Sequence, residues 1–345
     1  MPQSVLFVGG GSIGHISPSI AVARELLKMH PEIQARFVCS QRPEDALFIE
    51  RQGFVPIPLD APRLSWNFPM RFFRAYQSAY SILVESNPKA IFSKGGYVSV
   101  PVCLAAWRLK IPIILHESDT VSGWANTFVG LWAKVQCHGF PTKKAGKHLF
   151  TGNPVDTRFT EGVKERGFTI TGFPTDRPVL LVIGGSQGSQ AINAMIAQEL
   201  TSLLELCSIA HITGNGKQTV TTSYPGYWQI PFAYEEMSHL YAIASLALIR
   251  ASAATTSELA ANSIPAIMIP LRKVAHDHQE HNARILEKSG GCIVLEQNDR
   301  TQNITDLVRH LLSPEIHATM QKAIHKLYQP DAARHIAEII LQSLA

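Results

Sequence analysis

The chain has 345 residues, 46% hydrophobic and 17% charged, a composition that excludes a disordered chain and fits two domains of roughly 150 residues each. Five scattered cysteines (Cys39, Cys103, Cys137, Cys207, Cys292) form no C-x-x-C pair, which argues against a disulfide framework or zinc site and for a reducing compartment. Charge is uneven: 16 Lys and Arg stand against 9 Asp and Glu through Gly152, then 15 against 18, so the basic first half suits an anionic partner such as a membrane, a phosphate or a nucleic acid.

Val5–Val8 reads as a buried strand running into Gly9-Gly10-Gly11, unlike the apolar core of a signal peptide. No uninterrupted apolar run reaches the length of about 18 residues that a membrane span needs. The loop Gly9–His15 satisfies G-x-G-x-x-G between that strand and a helix over Ser17–Met29, whose apolar Ile20, Ala23, Leu26 and Leu27 share a face. Glycines let backbone approach a phosphate, and the helix start offers free N–H groups. The acid that a dinucleotide site carries about 20 residues on is missing, since Cys39-Ser40-Gln41-Arg42 follows the second strand, Ala35–Cys39. A phosphate-approach loop of another kind is therefore expected. His15, at its mouth, can act as a general base or as an acceptor-phosphate ligand.

Arg63–Tyr80 combines Trp66, Phe68, Phe72 and Phe73 with Arg63, Arg71 and Arg74. Rings in a headgroup layer and guanidinium groups on lipid phosphates predict peripheral membrane attachment, with an ordinary core helix as the alternative. No nucleic-acid motif accompanies it, so no nucleic-acid partner is expected. Strands at Ala90–Phe92 and Ile111–Leu115 are followed by Ser93–Pro101 and by His116-Glu117-Ser118-Asp119, which place polar groups at carboxyl strand ends. Glu117 and Asp119 are alternative candidates for the base.

Gly152–Pro178 lacks a sustained period and reads as the domain junction. The pattern then restarts with a strand at Val179–Ile183, a second glycine loop at Gly184–Ser189, a helix at Gln190–Leu206, and strands at Ile209–Ile212, Leu246–Ile249 and Ala266–Ile269. The second loop suits a departing diphosphate. In Arg250–Glu258, small residues permit close approach, and Glu258 can accept from ribose hydroxyls or act as an acid near a helix start. His276–Asn282 invites a metal reading, but His276 and His278 are two apart and diverge on a helix. Gln279 and Asn282 fit sugar hydroxyls better, and no D-x-D pair occurs. A final helix, Ala332–Leu344, follows Pro330 and is expected to pack back on the first domain.

These readings give an α/β fold with two doubly wound Rossmann-like domains, their parallel sheets facing across a cleft. Residues 1–155, with 331–345, form one domain, the one expected to face a membrane, and 156–330 the other.

Eight motifs in order resemble the MurG family of glycosyltransferases (glycosyltransferase family 28) over Val5 to about Gly291. They are Gly9–His15, Gly95-Gly96-Tyr97-Val98-Ser99, His116-Glu117, Ala125-Asn126, Thr151–Val155, Gly184–Gly188, Arg250–Glu258, and Asp277-His278-Gln279 with Asn282-Ala283. The resemblance implies a GT-B fold and inverting transfer of N-acetylglucosamine from UDP-N-acetylglucosamine to a lipid-linked pyrophosphoryl-N-acetylmuramyl-peptide, with no metal and no cofactor. It also implies work at the anionic cytoplasmic face of the cell membrane. Ser186, with Gln187 beside it, would meet the UDP diphosphate and Glu258 the ribose. Tyr234 would sit where backbone reads uracil, Ala253 and Ala254 would line the nucleotide pocket, and Gln279 and Asn282 would hold the donor sugar. Ser12, Ile13, Gly14 and His15 would lie on the acceptor side, and Tyr97 and Asn126 would be further substrate-binding residues.

The chain departs from the family at three places. Ile13 stands where glycine is common, Asp119 replaces a frequent asparagine, and Asp156 replaces an arginine. An acid at 156 would repel a diphosphate, leaving Arg158 as the substitute. Transfer to a different lipid, a UDP-sugar epimerase of similar fold, and a non-catalytic UDP-sugar binder attached to membranes are the rival readings.

Overall fold

A computed structural model describes residues 3–63, 65–220, 223–271, 277–297 and 302–344. Leu64 and His276, from two of the motifs above, lie outside them. The chain forms two compact units, residues 1–156 with 329–345, and residues 157–328.

In the first unit, β1 (Ser4–Val8), α1 (Ser17–Met29), β2 (Gln34–Ser40), α2 (Pro43–Arg51), β3 (Val55–Leu59), α3 (Phe68–Ser86), β4 (Ala90–Ser93), α4 (Ser99–Arg108), β5 (Ile113–Glu117), α5 (Trp124–Trp132), β6 (Val135–His138) and β7 (His148–Phe150) follow one another. The seven strands make a wholly parallel sheet in the order β3-β2-β1-β4-β5-β6-β7. Its centre is apolar on both faces because helices cover both. Val5 and Phe7 of β1 enter one core cluster, and Leu6 and Val8 the other. Burying each such side chain contributes about 2 kcal/mol.

The second unit repeats the plan. It runs α6 (Lys164–Thr171), β8 (Val179–Ile183), α7 (Gln190–Leu206), β9 (Ser208–Ile212), β10 (Tyr227–Ile230), α8 (Glu236–Ile243), β11 (Leu246–Ile249), α9 (Ala253–Ala261), β12 (Ala266–Met268), α10 (His278–Lys288), β13 (Cys292–Val294), α11 (Ile304–Leu311) and α12 (Pro314–His325). Its parallel sheet has the order β10-β9-β8-β11-β12-β13, and Val179, Leu181 and Ile183 alternate with Leu180 and Val182 between two clusters. The chain then returns to the first unit as α13 (Ala332–Leu344), whose Ile336 and Ile340 share a core cluster with Ile16, Ile20 and Leu26.

The stretch Gly152–Pro178 is not wholly irregular: it holds a short 3-10 turn at Thr157–Thr160 and α6. Helix α6 has a weak apolar stripe and depends on α8, which it meets so closely that a Cβ on Gly167 would stand 2.5 Å from the His239 carbonyl oxygen.

Strand order reverses between β1 and β4 in one sheet and between β8 and β11 in the other. Such switch points leave a crevice at the carboxyl strand ends, where open α/β sheets bind ligands. Both glycine loops lie at these places.

Candidate active site

At the first switch point, the loop after β1 is held from two sides. Asp45, buried at the start of α2, accepts from the Gly11 N–H at 2.7 Å and the Ser40 hydroxyl at 2.6 Å, while Arg42 Nη1 donates to the Gly11 carbonyl at 2.7 Å. Gly11 has φ +86°, and a Cβ there would meet the Tyr97 ring at 2.7 Å, so only glycine fits. Ser12, Ile13, Gly14 and His15 are partly exposed, and Ile13–His15 form a single 3-10 turn leading into α1. The branched Ile13 is therefore accommodated in a right-handed turn.

The loop after β4 lies against this one. A Cβ on Gly96 would be 3.2 Å from the Gly10 carbonyl oxygen and 3.9 Å from the His15 ring. Tyr97 is half-buried, with the Arg63 guanidinium 5.1 Å from its ring centroid. At the end of β5, Glu117 is 5% exposed and accepts from the Asp119 N–H at 3.1 Å and from Asn126 Nδ2 at 2.9 Å. Burial chiefly raises its pKa and the neighbouring Asp119 adds to this; Asn126 and Lys94 oppose it. Glu117 thus shapes the turn, and Asp119 is the more exposed carboxyl.

Lys94 is a site residue that the motif reading passed over. It is 1% exposed, and its Nζ lies 2.8 Å from His116 Nδ1 and is hydrogen-bonded to Ser118 Oγ. Burial lowers its pKa to about 8, against the pull of Glu117 and Asp119. The ring of His116 reaches the Gly152 carbonyl at 2.9 Å through Nε2, and burial first, then the Lys94 charge, holds its pKa well below the usual range. A charged residue between an apolar strand and Gly95-Gly96 was the available signal.

Asp156 does not stand as an open negative charge. It is buried and ion-paired with Arg24 Nε of α1 at 3.2 Å, so the expected repulsion is answered locally. Arg158 is exposed on the 3-10 turn of the second unit.

At the second switch point, Ser186 and Gln187 form the exposed tip of the loop after β8. Its base is tight: Gly188 and Gly214 both have positive φ, and a Cβ on Gly214 would be 2.6 Å from Gly188 Cα. The turn Thr213-Gly214 after β9, unread in the sequence, is thus part of the site. Ser189 caps α7 by accepting the Ile192 N–H at 3.3 Å. Arg250, 5% exposed, donates to Ser189 Oγ at 2.8 Å, the Ile269 carbonyl at 3.0 Å and Gln297 Oε1 at 2.7 Å. These acceptors are neutral, so the buried guanidinium leaves positive potential beside the loop.

Ser252 caps α9, which carries Ala253 buried, Ala254 partly exposed and Glu258 partly exposed. Glu258 Oε2 accepts from the Tyr241 hydroxyl at 2.6 Å, which fixes the carboxylate's direction. The Tyr234 N–H donates to Glu236 Oε2 at 2.9 Å, so its amide already has an acceptor. Gln279 is partly exposed and accepts from the Leu271 N–H at 3.1 Å. Asn282 has no exposed surface, so its side chain is not open to a sugar in the way the sequence suggests. The structure therefore gathers Ser12–His15, Tyr97, Glu117, Asp119 and Asn126 at one switch point. Ser186, Gln187, Ala253, Ala254 and Glu258 gather at the other, with Gln279 following the adjacent β12.

The segment rich in rings and arginines is α3 and its approach. Ala75, Ala79 and Leu83 face inward, while Trp66 (95% exposed) and Phe73 (58%) are open. Trp124 (63%) and Leu131 (70%) of α5 are exposed as well. Helix α4 packs against both α3 and α5. Among the described residues no helix is long and apolar enough to cross a membrane.

Comparison with known proteins agrees with this layout. Residues 5–136 match the glycosyltransferase family 28 N-terminal domain, and residues 179–336 the family 28 C-terminal domain. A UDP-N-acetylglucosamine–N-acetylmuramyl-(pentapeptide) pyrophosphoryl-undecaprenol N-acetylglucosamine transferase of Clostridium botulinum is 34% identical, covering 86% of this chain and 87% of its own. One of the same name from Caldanaerobacter subterraneus is 30% identical, over 97% and 98%. The solved MurG of Acinetobacter baumannii is 25% identical with a TM-score of 0.74, covering 99% of this chain and all of that one. A UDP-GlcNAc 2-epimerase from Neisseria meningitidis, 16% identical with a TM-score of 0.73 over 99% of this chain and all of that one, shares the fold alone. With both units matched, and relatives at 30–34% identity over most of its length, the chain belongs to glycosyltransferase family 28.

Proposed function

We propose that the chain transfers N-acetylglucosamine from UDP-N-acetylglucosamine to a lipid-linked pyrophosphoryl-N-acetylmuramyl-peptide, an inverting and metal-independent step of peptidoglycan synthesis. The observation that carries this reading is the likeness, through both units, to relatives named for that reaction. The two switch-point loops give it a mechanism. The second unit takes the donor: the exposed Ser186–Gln187 tip, the start of α7 and the Arg250 charge receive the diphosphate, and Glu258, aimed by Tyr241, receives the ribose. The first unit takes the acceptor pyrophosphate at Ser12–His15 and the start of α1. His15 or Asp119 removes the proton from the attacking hydroxyl, which displaces UDP from the opposite face of the anomeric carbon.

The exposed rings on α3 and α5, with Arg71 and Arg74, rest this unit on an anionic membrane where the lipid acceptor resides. Asn126 of α5, bonded to Glu117, lies on the same helix as exposed Trp124 and Leu131, so acceptor site and lipid-facing surface share one element.

UDP release is to be measured from UDP-N-acetylglucosamine in EDTA, with and without a lipid I analogue. Acceptor-dependent release is expected. Epimerised sugar without acceptor, or release only with another lipid, sinks the assignment.

A further inference from the structure

We propose that Lys94 is a positioning residue of the transfer reaction: its buried ammonium group is the counter-charge that keeps the Glu117–Asp119 turn in its working shape. The inference rests on the reading that this turn serves the acceptor.

A lysine is almost never fully buried without a partner, because removing an ammonium group from water costs several kcal/mol. Lys94 follows directly on β4, in the centre of the sheet, and its side chain runs toward the end of β5. There it meets two neutral groups, His116 and Ser118, by hydrogen bonds, and the charges of Glu117 and Asp119 act on it from the same turn, with the Cys137 thiol of β6 behind. His15 flanks the neighbouring Gly96 from the loop after β1, and His138 of β6, paired with Glu117 in the sheet, also acts on His116 by its charge.

The arrangement has a definite proton assignment. An ammonium group has three donors and no acceptor, so Lys94 donates to His116 Nδ1, which must be bare. The imidazole proton is then on Nε2 and is donated to the Gly152 carbonyl. His116 is neutral and acts as a strut between Lys94 and the Gly152 backbone. Glu117 is the weak point. Buried and beside Asp119, its carboxyl is drawn toward the protonated form; the Asn126 hydrogen bond opposes this most, and Lys94 adds an opposing positive charge. Ionised, Glu117 accepts from both Asn126 and the Asp119 N–H; a proton removes the charge that strengthens both bonds and loosens the turn. Lys94 therefore acts on Asp119 by its charge and through Glu117 and Ser118, touching no reacting atom itself.

The test is the pH dependence of acceptor-dependent UDP release by the unmodified protein, Lys94→Met and Lys94→Arg. The unmodified enzyme should lose kcat above about pH 8, where Lys94 gives up its charge. Lys94→Met should cut kcat about tenfold or more, abolish that alkaline limb, and leave KM for UDP-N-acetylglucosamine within about twofold. Lys94→Arg, which does not titrate there, should restore much of kcat without the limb. A Lys94→Met enzyme with unchanged kcat, or with the limb still present, overturns the proposal.

Should Lys94→Met fail to fold, nitrogen-15 spectra of histidine-labelled unmodified protein decide. A bare Nδ1 on His116 that shifts between pH 7 and 9 supports the proposal, and a protonated Nδ1 or a static signal overturns it. Absence of UDP release from the unmodified protein removes the transferase reading instead, so the two failures are told apart.

Discussion

The two switch points share one backbone plan and differ in what surrounds it. Around Gly9–His15 stand Asp45, Arg42, Lys94, His116, Glu117 and Asp119. Around Gly184–Ser189 the supports are hydroxyls, amides, carbonyls and the cations of Lys217 and Arg250. A Rossmann-like strand–glycine–helix unit supplies oriented N–H groups to either site. The first surrounds them with carboxylates, a histidine and a buried lysine whose pKa burial lowers to about 8, groups a proton transfer can use. The second surrounds them with neutral polar groups and two cations, which suits holding a diphosphate.

The sharpest way to break the comparison is His15→Ala. It should lower kcat by about two to four orders of magnitude while calorimetry finds donor affinity nearly unchanged. A variant with normal turnover removes His15 from the chemistry. Arg250→Ala should act oppositely, weakening UDP binding and costing roughly 3 kcal/mol or more in denaturant unfolding, because Ser189, Gln297 and the Ile269 carbonyl lose their donor. Intact donor affinity in that variant would show that the guanidinium only braces the loop.

A third test uses acid. His211 is fully buried between Asn193 and Tyr227, and burial lowers its pKa from 6.5 to about 4. The unfolded chain binds the proton first, so this stabilisation is whole above pH 6.5 and is lost as pH falls toward 4, on the order of 3 kcal/mol. Unfolding free energies between pH 7 and 4 should carry this slope, and His211→Asn should flatten it. The smallest effect is Ser252→Ala, which removes the α9 cap and should cost about 1 kcal/mol with a modest rise in donor KM.

Both switch-point loops were legible in the sequence because strand, glycine turn and helix start are contiguous there. The strands Val5–Val8 and Val179–Ile183 announced themselves by unbroken apolar runs, since both faces of a central parallel strand are covered. Four strands escaped because they are edges or nearly so. In β3, Val-Pro-Ile-Pro-Leu reads as a breaker, yet β3 pairs only with β2, and an edge strand can leave alternate residues without ladder donors. Strands β7, β10 and β13 are three or four residues long at sheet margins. Strand β6 escaped for another reason, having only Val135 and Cys137 as apolar residues.

Within the sites, what stayed hidden were partners distant in sequence. Asp45 supports Gly11 from 34 residues away, and Arg24 answers Asp156 from across the first unit. No local period encodes such pairs.

Helix α13 sets a constraint on the order of assembly. It supplies Ala333, Ile336, Ala337 and Ile340 to the cluster that also holds Phe7, Ile20 and Leu26. During synthesis the first 156 residues emerge with that face of their sheet and helices still unsealed, whereas residues 157–328 form an unbroken unit that can close as soon as it clears the ribosome. The first unit must therefore wait, with apolar surface open to chaperones, until helix α13 arrives.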